Sequence, residues 1–534
     1  MKENNEPSGP RRRIVMGGMA AAAGALLPSW PGLTHAQSEG ASRLLRLPKA
    51  ALVIGNGAYA GDDALANPVN DARALAEQLA AAGFAVDLRV DATRAQMVES
   101  IEAHGRRLAG GKGVGVFYFA GHGMQLAWRN YMMPVSAAVR SVEEIPAQGV
   151  DLGEVLDGIK RAANAMNLII VDACRNNPFG GGLAVQKGLS QIDAPPGTLL
   201  AYSTSPGNTA SDGLGKNGLY TEHLLREMKV RDAKIEDVFK RVRLGVRRQS
   251  FGRQIPWEST SLEEDFYFVP PVALARLSEE EQKRAFQEES EAFAKARDAK
   301  ASPPLVDFLG RYPSGAYSEL AQARLERVLA AEGEKPVEPA VAVGNPYTAG
   351  TKRADTAFTV GDAYAYRIAD RLADTTRQAR FTVTSITETE VHFNNGRMIL
   401  DPLGNTILQP NGWRFTARQD QPLEYSVGKR WTTRFRGVHG GVDQGEIILD
   451  FRIVAREGVT VPAGTFECFR IEARRLDEDL LRRPQRIEKR VTFWMAPDRV
   501  RLLVAREEES WVGPAGTVTK SVSERRELTS FKQS

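Results

Sequence analysis

The sequence predicts an α/β domain with a mostly parallel sheet and helices on both faces, followed by a short helical spacer and a β-rich C-terminal domain. Short runs of branched apolar residues, such as residues 168–171, are typical of strands buried on both faces. These runs alternate with helical segments, which is the arrangement that parallel strands require. Beyond about residue 350, many short alternating segments are separated by turns, which indicates a curved antiparallel sheet or an open barrel.

The elements of the first domain follow in order along the chain. Asn67 is the expected N-cap of the first helix after the opening strand, with Pro68 at its first helical position and Gly83 at its end. The predicted strands are residues 51–54, 84–90, 114–119, 168–171, 198–202 and 266–269. The predicted helices are residues 68–82, 94–108, 151–162, 218–229 and 235–247.

Two of these strands run directly into residues that can perform chemistry. His122 follows residues 114–119, and Cys174 follows residues 168–171. If the two strands are parallel neighbours, both side chains leave the same edge of the sheet, where ligands and reacting groups collect in open α/β sheets. A His about 50 residues upstream of a Cys is the order seen in caspases.

The segments that carry these residues resemble a known family. Tyr-Phe-Ala-Gly-His-Gly at residues 118–123 and Val-Asp-Ala-Cys at residues 171–174 resemble the His and Cys motifs of the caspase/metacaspase superfamily, in its bacterial branch. The resemblance covers roughly residues 49–269. It implies a caspase-like fold and a cysteine endopeptidase acting on protein or peptide substrates. Cys174 is then the nucleophile, His122 the acid and base, and the backbone N–H groups of Gly123 and Cys174 the oxyanion donors.

The resemblance also implies a specificity. Caspases that cleave after aspartate carry Gln two positions before the nucleophile, whereas this chain has Asp172 there. Asp71 matches a second pocket acid of metacaspases, and Asp212 is a third candidate. A pocket with carboxylates repels acidic side chains and attracts cationic ones, so we expect cleavage after Arg or Lys. The chain departs from the metacaspase pattern at Ala120 and Pro68, where a pocket Ser and Cys stand.

Each assignment has a plainer alternative. Cys174 alone could be an inert core thiol, and His122 alone an ordinary loop residue. Asp71 could be an acid of a helix first turn, and Asp172 a structural acid that bonds loop amides. Lys187 is a candidate site of self-cleavage or simply a solvated lysine. For the whole protein, the alternatives are a non-catalytic scaffold or partner-binding protein and another acyl-transfer hydrolase on the same fold.

We expect no cofactor. Metacaspases often need calcium, but the matching loops contain no obvious acidic cluster, so calcium dependence stays open. No Cys-x-x-Cys occurs and the six histidines are scattered, so the sequence predicts no metal site. The net charge of +4, half of it before residue 37, gives no support for nucleic-acid binding.

The N-terminus predicts export. Arg11-Arg12-Arg13 precedes an apolar stretch and small residues near Ala36, which resembles a twin-arginine signal; an uncleaved membrane anchor is the alternative. We expect a periplasmic protein without a membrane span after signal removal. The chain has two cysteines, Cys174 and Cys468, so we expect no disulfide framework. The sequence leaves open a single disulfide between these two.

The predicted domain organisation has five parts. The order is an export signal (1–36), a caspase-like peptidase domain (49–269), a helical spacer (271–333), a linker (334–349) and a β-rich domain (350–534). One tetratricopeptide-like hairpin in the spacer cannot bury its own apolar face. The β-rich domain shows no catalytic residues, so we expect it to bind a protein partner or to serve as a structural cap.

Overall fold

The computed structural model describes residues 33–174, 188–208, 215–272, 278–338, 344–476, 486–513 and 519–534. Ten α-helices lie in these residues. They are α1 (Leu33–Arg46), α2 (Pro68–Ala81), α3 (Arg94–Gly111), α4 (Ile145–Gln148), α5 (Leu152–Ala162), α6 (Leu219–Glu227), α7 (Ile235–Gln249), α8 (Glu279–Ala296), α9 (Pro303–Arg311) and α10 (Ser318–Ala331). None of the helices in these ranges is long and apolar enough to cross a membrane.

Eight strands form the sheet of the first domain. They are β1 (Lys49–Gly55), β2 (Ala85–Val90), β3 (Val114–Leu126), β4 (Arg129–Met132), β5 (Val150–Asp151), β6 (Met166–Cys174), β7 (Thr198–Tyr202) and β8 (Trp257–Thr260). The main strand order is β2-β1-β3-β6-β7-β8. All neighbours in this row are parallel except β7 and β8, so the predicted fold class is confirmed.

Helices cover both faces of this sheet because its strands are apolar on both sides. Alternate residues of β1 divide between the two faces: Val53 packs in one core with residues of α2, α6 and α7. Leu52 packs in the other core with residues of α3 and α5. Gly55 is needed at the end of β1, since a Cβ there would lie 2.4 Å from the carbonyl oxygen of Pro68 at the start of α2.

The structure corrects three local predictions in this domain. Residues 266–269 form no strand, apart from an isolated bridge between Lys234 and Tyr267. Phe266 and Phe268 are instead buried against the helices of one face, which satisfies their apolar alternation without strand pairing. The edge strand is β8, which the sequence did not indicate. Pro68 does begin α2, but the side chain of Asn67 makes no capping hydrogen bond to that helix.

Helices α8, α9 and α10 form the spacer. Their apolar side chains share one cluster that includes Phe293, Phe308 and Leu325, with Leu244 of α7 packed against it. The spacer therefore buries its apolar face partly within itself and partly against the first domain, as an incomplete repeat must.

The C-terminal part is an antiparallel closed barrel. Its strands are β10 (Ala363–Asp370), β11 (Thr375–Ile386), β12 (Val391–Phe393), β13 (Met398–Leu400), β14 (Thr406–Leu408), β15 (Arg414–Phe415), β17 (Arg430–His439), β18 (Val442–Val461), β19 (Gly464–Leu476), β20 (Arg486–Met495), β21 (Ala505–Gly513) and β22 (Thr519–Lys532). A separate pair is β9 (Thr351–Arg353) with β16 (Glu424–Ser426). The barrel closes because β22 returns beside β10, where Ala363 pairs with Lys532. The sequence predicted a curved sheet or an open barrel, and the structure shows a closed one.

The segment that enters the barrel is tied to the first domain by a group of hydrogen bonds that we call the clasp, between residues 190–193 and 345–351. The amide of Asn345 donates to the carbonyl oxygen of Gln191 at 2.7 Å. The carboxylate of Asp193 accepts from the hydroxyl of Thr348 at 2.6 Å and from the backbone N–H of Ala349 at 2.7 Å. The predicted linker is thus fixed at its C-terminal end rather than free.

Candidate active site

His122 and Cys174 lie opposite each other on adjacent strands. The parallel ladder between β3 and β6 ends with this pair, after Gly121 opposite Ala173. At the next residue, Gly123, β3 changes partner and pairs antiparallel with Met132 of β4. Neighbouring strands are about 4.8 Å apart, so the backbones of these two residues lie side by side at the end of the ladder. His122 lies within β3, however, and not beyond its end.

The imidazole of His122 is held in one orientation. Its Nε2 lies 2.7 Å from the carbonyl oxygen of Asp63, which can only accept a hydrogen bond. In the neutral ring Nε2 therefore carries the hydrogen, and Nδ1 is the basic nitrogen. The ring also packs against Tyr59, with 4.3 Å between the ring centroids. His122 is 5% exposed, so the residue is largely shielded from solvent.

Two glycines allow this close packing. At Gly121, with φ of +153°, a Cβ would lie 2.6 Å from the hydroxyl oxygen of Tyr59, which in turn accepts from the N–H of His122. At Gly123 a Cβ would lie 2.9 Å from the Cβ of Ala173, the residue before Cys174. It would also lie 3.1 Å from Leu189. Any side chain at these two positions would disturb the strand that carries the base.

Asp172 lies two residues before Cys174, opposite Ala120 in the same ladder. Its carboxylate accepts a hydrogen bond of 2.8 Å from the hydroxyl of Thr221 on α6. The hydroxyl oxygens of Thr221 and Tyr118 are also 2.8 Å apart. The Asp172 carboxylate therefore has a side-chain hydroxyl as a hydrogen-bond donor, whereas the structural alternative predicted loop amides as its partners.

Asp71 is buried in the first turn of α2 and bonds to the segment that precedes α6. Its carboxylate accepts from the backbone N–H of Gly218 at 3.0 Å and from the amide of Asn217 at 2.8 Å. Burial raises the pKa of Tyr118 well above its ordinary value, and the charges of Asp172 and then Asp71 raise this pKa further. Both acids thus act on the same buried hydroxyl, which indicates that they belong to one region.

The remaining sequence candidates are located as follows. Asp212 and Lys187 lie outside the described residues. Cys468 is a free thiol in the barrel, so the disulfide with Cys174 that the sequence left open is absent. Burial raises the pKa of Cys468 to about 12, which keeps it protonated and unreactive. Within the described ranges, no three His, Cys, Asp or Glu side chains are grouped so that they could hold a metal ion.

Sequence reasoning missed several residues around the site. Nothing in the sequence marks the backbone carbonyl of Asp63 as the partner of the imidazole, since every residue has such a group. Tyr59 and Thr221 reach the site from other elements and carry no motif. Tyr118 belongs to a predicted strand and to the His motif, but the sequence analysis assigns no role to its hydroxyl. A tyrosine in a buried strand needs a partner for its hydroxyl, and that need is a usable signal.

Comparisons with known proteins agree with this architecture. The family model described as the caspase domain matches residues 48–267. The mouse (Mus musculus) protein named mucosa-associated lymphoid tissue lymphoma translocation protein 1 homolog is 27% identical over 242 residues, which are 43% of this chain and 28% of the mouse protein. Its human (Homo sapiens) counterpart is 26% identical over 249 residues, 45% of this chain and 29% of the human protein. The chain thus spans less than a third of these curated relatives.

Proposed function

Residues 48–267 form a caspase-like domain, and from this premise we propose that the protein is a cysteine endopeptidase that hydrolyses peptide bonds after Arg or Lys. The predicted resemblance to the caspase superfamily is confirmed, and the family is one of cysteine peptidases acting on proteins. The dyad, the specificity and the location in the cell are the parts that we propose here.

The observation that carries the proposal is the direct pairing of His122 with Cys174 at the end of the parallel ladder. A thiol attacks a peptide carbonyl as the thiolate, and a nearby imidazole takes its proton and later gives it to the leaving amine. The hydrogen bond from Nε2 of His122 to the carbonyl of Asp63 supports this role, because it leaves Nδ1 as the nitrogen that exchanges the proton.

The tetrahedral intermediate needs two donors aimed at its oxygen. We assign them to the backbone N–H groups of Gly123 and Cys174. They belong to neighbouring strands, and Gly123 directly follows the last residue that pairs with β6. Gly123 carries no side chain that could block the approach of a substrate carbonyl to its N–H group.

For the specificity, Asp172 and Asp71 supply the negative charge that a cationic side chain needs. Both carboxylates accept hydrogen bonds, Asp172 from Thr221 and Asp71 from Gly218, which hold them in place. Asp212 remains a third candidate for the same pocket. An acidic substrate side chain would be repelled by these charges.

The test uses peptides that differ only in the residue before the scissile bond: Arg, Lys, Asp or norleucine. We expect hydrolysis after Arg and Lys and none after Asp. We also expect Asp172→Asn to lower the preference for Arg over norleucine by roughly tenfold or more. Equal hydrolysis after Asp would overturn the pocket assignment.

A second measurement tests catalysis itself. An Arg-directed covalent inhibitor should form an adduct on Cys174 that intact mass spectrometry detects and that Cys174→Ala abolishes. Neither hydrolysis nor an adduct, in reduced and folded protein, would overturn the peptidase and leave the non-catalytic scaffold.

We further propose that residues 1–36 direct export to the periplasm and that residues 350–534 bind a protein partner. The arginines at positions 11–13 support the first of these. Replacing Arg12 and Arg13 together by Lys should retain the protein in the cytoplasm of a host with a twin-arginine pathway. Unchanged export of this variant would contradict the assignment.

A further inference from the structure

A chain of three side chains leads from the interior of the first domain to Asp172. The hydroxyl of Thr221 donates to Oδ2 of Asp172 at 2.8 Å. Since threonine has a single hydroxyl hydrogen and a carboxylate only accepts, the hydroxyl of Tyr118, 2.8 Å from Oγ1 of Thr221, is the donor to threonine. The direction of both hydrogen bonds is therefore fixed, from Tyr118 through Thr221 to Asp172.

The three residues come from different elements: Tyr118 from β3, Thr221 from α6 and Asp172 from β6. Tyr118 and Thr221 are both 0% exposed, so water does not compete for the hydrogen bond between them. Hydrogen bonds in such a setting are stronger than in solvent and polarise one another. The hydrogen bond between Tyr118 and Thr221 joins the sheet to α6. This helix begins directly after Gly218, whose N–H donates to Asp71.

The geometry points to Thr221 and Tyr118 as positioning residues for substrate selection, which orient the Asp172 carboxylate for a cationic substrate side chain. This inference rests on the proposed function, because it assumes that Asp172 contacts the substrate residue before the scissile bond. The hydrogen bond from Thr221 to Oδ2 restrains the rotation of the carboxylate. A carboxylate so fixed loses less freedom when it binds a guanidinium or ammonium group.

The chain also offers a matched control. The hydroxyl of Tyr220, next to Thr221, is buried and has no hydrogen-bond partner within the described part of the chain. The charge of Asp172 nevertheless raises the pKa of Tyr220, after burial itself, so this hydroxyl senses the same carboxylate. Tyr118→Phe removes a hydroxyl that donates a hydrogen bond to Thr221. Tyr220→Phe removes a hydroxyl from the same surroundings, but no hydrogen bond is lost with it.

The experiment measures kcat and KM for peptides that end in Arg or in norleucine before the scissile bond. Thr221→Val replaces a hydroxyl by a methyl group of similar size. We expect this variant to raise KM for the Arg peptide about tenfold, because a hydrogen bond to a charged group is lost. The kcat for the Arg peptide should stay within about twofold, and kcat and KM for the norleucine peptide should not change. Thr221→Ser keeps the hydroxyl and should restore most of the preference for Arg. Tyr118→Phe should act in the same direction as Thr221→Val, about threefold, and Tyr220→Phe should match the wild type.

The outcomes separate this inference from the proposed function. If Asp172→Asn lowers the preference for Arg but Thr221→Val does not, the positioning role is wrong and the pocket stands. If Asp172→Asn also leaves the preference unchanged, the pocket itself is wrong. Equal losses for Thr221→Ser and Thr221→Val, or for Tyr220→Phe and Tyr118→Phe, would overturn the inference as well, because packing and not hydrogen bonding would then explain the effect.

Discussion

His122 and Cys174 are the last pair of residues in the parallel ladder between β3 and β6. One residue further, β3 has already turned to β4. The proposed base and the proposed nucleophile thus lie where β3 changes its partner. Up to Ala120, β3 is paired with β1 on one side and with β6 on the other, which suits a strand that must hold an imidazole in position while a proton moves.

The two cysteines should behave oppositely. Cys174→Ala should abolish hydrolysis of Arg-ended peptides, because the nucleophile is lost. Cys468→Ala should leave kcat/KM unchanged, since Cys468 lies buried in the barrel and burial holds its pKa at about 12. Labelling with iodoacetamide, followed by peptide mapping, should modify Cys174 alone in the folded protein. Modification of Cys468 at a similar rate would contradict the burial argument.

Gly123→Ala should lower kcat roughly 10- to 100-fold, because the added methyl would meet Ala173 and Leu189 and shift the backbone that holds an oxyanion donor. The matched control is Gly158→Ala in α5, where a Cβ meets nothing within 4 Å. That variant should keep full activity and gain up to about 1 kcal/mol in unfolding free energy. Comparable kcat values for both variants would argue against the oxyanion assignment.

Asp71→Asn tests charge without removing the acceptor. Its Oδ1 can still accept from Gly218 and Asn217, so we expect the thermal midpoint to change little. The preference for Arg over norleucine should fall by about tenfold, because one charge of the pocket is lost. Asp71→Ala should lower both the preference and the thermal midpoint. An unchanged preference in Asp71→Asn would mean that this acid is only structural.

His104 should make the protein less stable in mild acid. Burial, and to a smaller extent the charge of Arg107, lower the pKa of His104 from 6.5 for the unperturbed group to about 4. Between pH 6.5 and 4 the unfolded chain takes up a proton that the folded chain does not, so the free energy of unfolding falls as the pH drops through this window. The loss reaches about 2 kcal/mol at pH 5.

Urea denaturation at pH 7 and pH 5 measures this difference. Both His104→Leu and His104→Gln should reduce it by about 2 kcal/mol, although they differ in polarity and in overall stability. A pH dependence that survives in both variants would assign the acid sensitivity to other groups.

Loss of the clasp should expose the segment that leads to the barrel. Asp193→Ala removes the acceptor for Thr348 and Ala349, so residues 344–351 should open more often and be cut by thermolysin roughly tenfold faster. Asp298→Ala, on an exposed turn of the spacer, serves as the control and should be cut like the wild type. Limited proteolysis with mass spectrometry gives the rates. Equal rates for both variants would show that other contacts hold this segment.

The sequence predicted the parallel sheet well because its strands are buried on both faces and appear as continuous apolar runs, as in residues 168–171. It predicted the meeting of His122 and Cys174 because parallel strands align their ends. It did not predict β4 and β5, since the extension of β3 past His122 depends on short pairings without a distinct pattern. The apolar alternation at residues 266–269 was misleading, because packing against helices satisfies it equally well.

For the barrel, closure was beyond sequence reasoning, since it depends on the pairing of β10 with β22, which are distant in the chain. Around the site, the contacts that the sequence did not predict are of two kinds. Asp63 contributes a backbone carbonyl, which no residue type reveals. Thr221 contributes a hydroxyl from a distant helix, which becomes visible only when that helix is placed against the sheet.

The order of the strands has a consequence for what happens if the chain is cut after Cys174. The part of the chain between Cys174 and Thr198, which includes Lys187, connects β6 with β7, and these two strands are adjacent and hydrogen-bonded to each other. A nick at Lys187 would therefore leave the two pieces joined through the middle of the sheet, not through a surface contact. The cleaved protein should elute as one species in gel filtration and divide into two bands only after denaturation.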